Sequence, residues 1–320
     1  MNKIFITGCA GFIGSNLVDK LLENNYVVGW DNFSTGHRNF LNNALNNERF
    51  TLITGDNLNQ DKLTNAMSGC DIVYHLAANA DVRSGFNHPY KDLEQNTIAT
   101  FNVLESMRKT NIKKIVFSST GVVYGDTTIM PTPETSPFPI QTSLYGTSKV
   151  SCEGLISSYC EGFDFEGYIF RFVSVLGERY THGHIYDFYN QIINHPEYLE
   201  VLGDGSQKKS YLYVMDCVDA MRHIVKLNDT SSKVQIFNLG TNEYKPISES
   251  ISFICKTLSI SPTIIYKGGS RGWIGDNPFT FLDTSKIRNT GWNTKLNIEE
   301  SILKTLTWLS ENKWVYNYRK

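Results

Sequence analysis

Seven residues near the N-terminus restrict this chain more than any other stretch: Gly8-Cys9-Ala10-Gly11-Phe12-Ile13-Gly14. They directly follow a β-branched, apolar run, Lys3–Thr7, that predicts a strand. They open a stretch, Phe12–Glu23, in which Ile13, Leu17, Leu21 and Leu22 recur at helical spacing. Strand, glycine turn and helix in that order form the entrance of a dinucleotide-binding fold. The glycines permit the tight turn, the close approach of a pyrophosphate and the contact of helix with strand. The helix N-terminus then offers free N–H groups and a partial positive charge to the phosphates. The spacing is G-x-x-G-x-x-G rather than G-x-G-x-x-G, so the run taken alone reads equally well as a plain turn.

The same alternation continues downstream. Further strands are predicted at Tyr26–Asp31, Phe50–Thr54, Ile72–Leu76, Lys114–Ser118 and Phe165–Phe172, with a helix over Ser143–Cys160. Strands separated by helices require crossovers and hence a parallel, doubly wound α/β sheet of Rossmann type. Beyond about residue 175 the rhythm breaks. Gly203-Asp204-Gly205-Ser206 reads as a turn, Asn238–Asn242 as a strand end, Gly268-Gly269 as a loop and Ile298–Glu311 as an amphipathic helix. We therefore expect a dinucleotide-binding domain with the catalytic groups over residues 1–175. A smaller mixed α/β substrate domain is expected over 176–320, with some exchange of strands or helices between the two.

Composition excludes several classes of function. With 41% hydrophobic and 19% charged residues the chain can bury a large core, and disorder is excluded. A formal charge of −2 gives no reason to expect nucleic acid or an anionic membrane as partner. None of the six cysteines forms a C-x-x-C pair, which points to reduced thiols and no metal site. The N-terminal apolar run is too short for a signal peptide, and no 18-residue apolar run occurs, so a cytoplasmic protein is expected.

Context strengthens the glycine turn. Asp31 ends the second predicted strand, near the roughly 20-residue distance at which a carboxylate meets the adenosine ribose hydroxyls. A carboxylate there repels a 2′-phosphate, which favours NAD over NADP, although Arg38 nearby carries the opposite charge. Asp56, ending the third strand, is placed to meet the adenine edge, and His75-Leu76-Ala77-Ala78 offers small residues where a flat cofactor would pass.

The chemistry is suggested by Tyr145 and Lys149, four residues apart and so on one helix face. Taking a proton from an alcohol requires a base, and tyrosine, with a reference pKa of about 10, is a poor one. Lowering that value to about 6.5 requires about 5 kcal/mol of differential stabilisation. The Lys149 ammonium and a positive nicotinamide ring are the candidate sources. Thr120, expected just after the fifth strand, adds a hydroxyl at the sheet edge where doubly wound folds place ligands.

Together these segments make the chain resemble the extended short-chain dehydrogenase/reductases, specifically the NAD-dependent sugar-nucleotide epimerase/dehydratase group. They are Thr7–Gly14, Asp31-Asn32-Phe33-Ser34-Thr35-Gly36, His75–Ala78, Ser118–Gly125 and Tyr145–Lys149. The run Leu202–Gln207 and especially Arg271-Gly272-Trp273-Ile274-Gly275-Asp276-Asn277-Pro278 resemble the UDP-glucose 4-epimerase-like branch. The resemblance implies a catalytic triad of Thr120, Tyr145 and Lys149. It implies NAD held by Gly8, Gly11, Phe12, Ile13, Gly14, Asp31, Asn32, Ser34, Gly36, Asp56, Asn57, Leu76, Ala77, Ala78, Asn96, Tyr145 and Lys149. It implies a UDP- or GDP-linked sugar on Arg83, Ser174, Lys209, Arg271 and Asp276, and a homodimer built on helices near residues 90–108 and 143–160.

Two departures bear on the reaction. Dehydratases of this group carry Asp and Glu after the threonine, where this chain has Gly121 and Val122, so elimination of water lacks an acid/base pair. Relatives often have arginine at Lys209 and asparagine at Ser174. A 4-epimerase is the leading expectation. A C4 dehydrogenase or 4-keto-sugar reductase with net redox change is the alternative, and a non-catalytic NAD-binding regulator a third.

Overall fold

The computed structural model describes residues 1–83, 85–137, 140–229 and 231–317. Three strands match the expected bounds residue for residue: β1 (Lys3–Thr7), β2 (Tyr26–Asp31) and β3 (Phe50–Thr54). They are followed by β4 (Ile72–His75), β5 (Lys114–Thr120) and β6 (Glu166–Phe172). Thr120 is thus the last residue of its strand rather than one beyond it, and Asp56 lies two residues past the end of β3 instead of ending it. A seventh strand, Val234–Leu239, joins the same sheet, so Asn238 lies inside a strand that stops at Leu239.

The spatial order is Val234–Leu239, β6, β5, β4, β1, β2, β3. β1 pairs in parallel with both β2 and β4, β2 with β3, and β4 with β5. The order therefore reverses between β1 and β4, the switch point at which Rossmann-type sheets open a crevice beyond their carboxyl ends. Phe5, Trp30, Val73, Ile115, Phe117 and Ile169 from the strands of the sheet join one buried hydrophobic cluster. Strands buried in this way lose the alternation of a half-exposed strand and read as continuous apolar runs.

Helix α1 (Phe12–Leu21) follows the glycine turn and buries Leu17, Val18 and Leu21. The helix Leu144–Phe163 starts where Ser143 accepts a hydrogen bond from the Gly146 N–H, an N-cap that fixes the register of Tyr145 and Lys149. It runs three residues beyond the expected Cys160 and stops at Asp164, whose φ of 59° ends it in the left-handed region.

The chain forms two compact units. The first contains Met1–Val123, Ser143–Arg171 and Val218–Phe237. The second contains Tyr124–Thr142, Phe172–Cys217 and Asn238–Lys320. Its strands are short: Ser174–Leu176 beside Tyr211–Tyr213, Tyr198–Val201 beside Thr263–Tyr266, and Lys208–Lys209 between Lys245–Pro246 and Phe279–Thr280. The helix Ile298–Glu311 matches its expected bounds and begins in a capping box, Asn297 with Glu300. Among the described residues no helix is long and apolar enough to cross a membrane.

Candidate active site

Gly8 leaves β1 with φ of 71°, and its N–H donates to the Trp30 carbonyl at 2.8 Å. A Cβ at Gly8 would lie 2.7 Å from the Ala77 nitrogen, and one at Gly14 only 2.0 Å from the Gly8 oxygen. These contacts make glycine obligatory at both ends of the turn. Gly11 is the N-cap of α1, with no capping side chain and no acidic residue in the first turn, where Phe12, Ile13 and Gly14 lie. A helix end of this kind is suited to a phosphate.

Asp31 is buried and fastens this turn to β2. Its Oδ2 accepts from the Ala10 N–H and its Oδ1 from the Phe33 N–H, each at 2.8 Å. Burial pushes its pKa up while the two backbone donors oppose that rise. A carboxylate has about four acceptor positions, so capacity for ribose hydroxyls remains. Gly36 closes on the same group, since a Cβ there would come 2.9 Å from Asp31 Oδ1. Asn32 donates to Asp56 Oδ2 at 2.8 Å and accepts from the Ser34 N–H at 2.9 Å. Asn57 is buried, and its Oδ1 has no hydrogen-bond partner. Leu76 and Ala77 hang from Thr7 through N–H bonds of 3.2 Å to its carbonyl and hydroxyl, and Ala78 follows. An uncapped helix end, a carboxylate with acceptor positions to spare and an orphaned amide oxygen fit a dinucleotide.

Tyr145 is half-buried and hydrogen-bonds the Thr120 side chain. Lys149 is buried, donates to the Ser118 carbonyl at 2.9 Å, and sits 5.9 Å from the Tyr145 ring centroid. The triad expected from sequence is thereby brought together. Its electrostatics differ from expectation. Burial, followed by the charge of Asp92, pushes the phenol up rather than down, and the Thr120 hydrogen bond opposes this only in part. Burial also lowers Lys149 to about 8. The surroundings that the protein itself supplies thus favour the protonated phenol.

Of the residues that support the triad from beneath, the sequence named only Asn96, and that as a cofactor contact. Glu153, one turn beyond Lys149, accepts from Arg171 Nε at 3.1 Å and Nη2 at 2.6 Å, and from the Ser119 hydroxyl. Asn96 lies in a π-helical turn, Leu93–Ile98, where its Nδ2 donates to Ser148 Oγ at 2.8 Å and its Oδ1 accepts from the Asn79 N–H at 2.8 Å. Asp92 joins the same group. Its spacing from Asn96, i to i+4 on a helical pattern, is the one signal that points to it beforehand.

In the second unit Lys209, Arg271 and Asp276 do come together. Lys209 Nζ meets Asp276 Oδ1 at 2.8 Å, and Asp276 Oδ2 accepts from the Gly272 N–H at 3.0 Å. Arg271 donates to the Asp276 carbonyl at 2.5 Å and forms a two-pronged pair with Asp126, at 2.5 and 3.2 Å. Each cation expected to face phosphate thus already has a carboxylate partner, and Asp126 was not anticipated. Ser174 is exposed and opens a different element, opposite Tyr211. Arg83 is exposed in the first unit, its N–H bonded to Asp81 Oδ1 at 3.2 Å.

Against this geometry, the sequence profile of the NAD dependent epimerase/dehydratase family matches residues 4–240. A crystal structure of UDP-galactose 4-epimerase superposes with a TM-score of 0.87 at 34% identity, covering 98% of this chain and 100% of that one. UDP-glucuronic acid 4-epimerase from Bacillus cereus, solved with UDP-glucuronic acid and NAD, superposes with a TM-score of 0.89 at 27% identity, covering 97% and 99%. UDP-glucuronic acid decarboxylase 3 of Arabidopsis thaliana is 31% identical over 94% of this chain and 86% of its own length.

Proposed function

This chain belongs to the NAD dependent epimerase/dehydratase family, and on that premise we propose that it is a nucleotide-sugar 4-epimerase working by transient oxidation of C4. NAD is the cofactor; when bound it supplies a two-electron acceptor that takes hydride from carbon and can return it. The residues that would hold it are the α1 N-terminus with Gly8, Gly11 and Gly14, the Asp31 carboxylate, and the Asn32–Asp56 and Asn57 edge. Tyr145 takes the proton of the sugar hydroxyl as that carbon becomes a ketone, and gives it back after the sugar has presented its other face. Thr120 hydrogen-bonds the phenol and orients it, and Lys149 adds positive charge beside it. In the second unit Lys209, Arg271 and Asp276 hold the diphosphate and ribose of a UDP- or GDP-linked sugar. The UDP-sugar relatives favour uridine.

The observation that carries this reading is the Thr120–Tyr145–Lys149 constellation followed by Gly121 and Val122. Proton removal has its base, while elimination of water has no acid/base pair at that edge. The test is incubation of the purified protein with UDP- and GDP-sugars. The expected product is a stereoisomer with no net NADH, and Tyr145→Phe lowers turnover by about 10²–10⁴-fold while NAD is retained. Accumulating keto sugar with NADH would instead support a C4 dehydrogenase or, in reverse, a 4-keto-sugar reductase. The serine at position 174, where the family often has asparagine, favours keeping that second reading.

A further inference from the structure

Asp92 ends the helical turn Pro89–Asp92, is 1% exposed, and leads into the π-turn that carries Asn96. Its Oδ1 accepts from Asn79 Nδ2 at 2.8 Å and, at 3.5 Å, from Asn96 Nδ2. Its Oδ2 is buried and has no hydrogen-bond partner. An uncompensated buried carboxylate oxygen is costly and calls for a reason.

The surroundings supply one. A Cβ built on Gly85 would stand 2.7 Å from Asp92 Oδ2 and 3.6 Å from the Leu144 Cβ, so the bare oxygen lies against the loop that abuts the first residue of the catalytic helix. From Asn96 the path runs through Ser148 Oγ at 2.8 Å to the Tyr145 carbonyl, again at 2.8 Å. The carboxylate is therefore fixed in position relative to the turn that presents the phenol.

We propose that Asp92 is a positioning residue whose buried negative charge keeps the proton on Tyr145 until a cationic cofactor ring is in place. The proposal rests on the reading of Tyr145 as the proton acceptor. The charges acting on Tyr145 agree with it. Asp92 raises the phenol, as does Cys152 on the same helix, while the hydrogen bond from Thr120 lowers it. Burial pushes Asp92 itself up, as does Asp81, while the Asn79 hydrogen bond and the Lys91 and Lys149 charges favour its ionised form. Asp92 acts in the same sense on Lys149, helping that ammonium keep its proton despite burial. One carboxylate thus holds both protons of the pair in place. The base forms only when cofactor charge outweighs it, which keeps a free phenolate from existing without an acceptor for the hydride.

The experiment is a pH titration of the near-ultraviolet phenolate absorbance of the NAD-loaded protein, taken as the difference from the same protein carrying Tyr145→Phe. In Asp92→Asn the Tyr145 midpoint moves to lower pH by about one unit or more, the low end of what a neighbouring charge does. Ser148→Ala breaks the relay without changing charge and leaves the midpoint where it was. An Asp92→Asn midpoint equal to wild type, or an equal movement in Ser148→Ala, overturns the proposal. Should the amide variant fail to fold, Asp92→Ser keeps an acceptor for Asn79, lacks the charge and is expected to show the same movement. If Tyr145→Phe retains full turnover, the reading of the base fails, whatever the titration shows.

Discussion

His75 is buried between Thr7 and Thr100, with hydrogen bonds of 2.7 and 2.9 Å to their hydroxyls. Burial, and next the Lys149 charge, lowers its pKa to about 3 from 6.5. His184, buried against Tyr211, is lowered to about 3 by burial and by Lys209. Between those values the unfolded chain binds protons that the native protein refuses, so stability rises with pH across the window and falls on acidification. We expect the unfolding free energy from urea titrations to decline from about pH 6.5 towards about pH 3, and His75→Gln to decline less steeply. A wild-type slope in that variant would contradict this. Single residues were legible in the sequence where spacing carried them: Asp31 after the glycines, Lys149 four residues past Tyr145. The direction of the Tyr145 shift was not, because it depends on Asp92, 53 positions away, and on burial that no local pattern encodes. Asp126 stayed hidden for the same reason, since only folding brings it to Arg271.

Among the elements, the helix Leu144–Phe163 is held from below by an ion pair whose side chains are 2% and 4% exposed, Arg171 on β6 and Glu153. Removing one partner leaves the other charged and buried, which costs about 3–5 kcal/mol. Arg171→Met should show that loss in chemical denaturation, and adding Glu153→Gln should restore most of it. If the single variant matched wild type, the pair would have no bracing role. Elements were readable where a burial pattern sets their length, as in β1, β2 and Ile298–Glu311. They were unreadable where pairing alone does. The two-residue strands Lys208–Lys209, Lys245–Pro246 and Phe279–Thr280 are too short for any period, and their partners lie tens of residues apart in sequence. β5 runs to Thr120 although Ser118, Ser119 and Thr120 look like a polar strand end, because all three are buried.

For the molecule as a whole, Phe86, Tyr90, Leu93 and Phe101 leave large apolar side chains 43–62% exposed along one stretch of the first unit. A stretch of that kind matches the homodimer that the family resemblance implies. We expect a dimer by light scattering coupled to size-exclusion chromatography, and Phe101→Asp to shift it towards monomer without unfolding it. A wild-type monomer at micromolar concentration would end that expectation. The parallel sheet could be read from its alternating segments. The several passages of the chain between its two units could not, because points such as 123/124 and 217/218 carry no change in composition.

The strand Val234–Leu239 arrives at the sheet some 62 positions after β6 has ended, and it covers what would be a bare edge of β6. An open edge of unpaired backbone groups invites another chain to add to it. A nascent chain that has emerged only as far as β6 therefore exposes an adhesive flank throughout the synthesis of those intervening residues. Expression of the first 175 residues alone would make that transient state permanent, so the nucleotide-binding half is built to be made only together with the C-terminal half that lends it this strand.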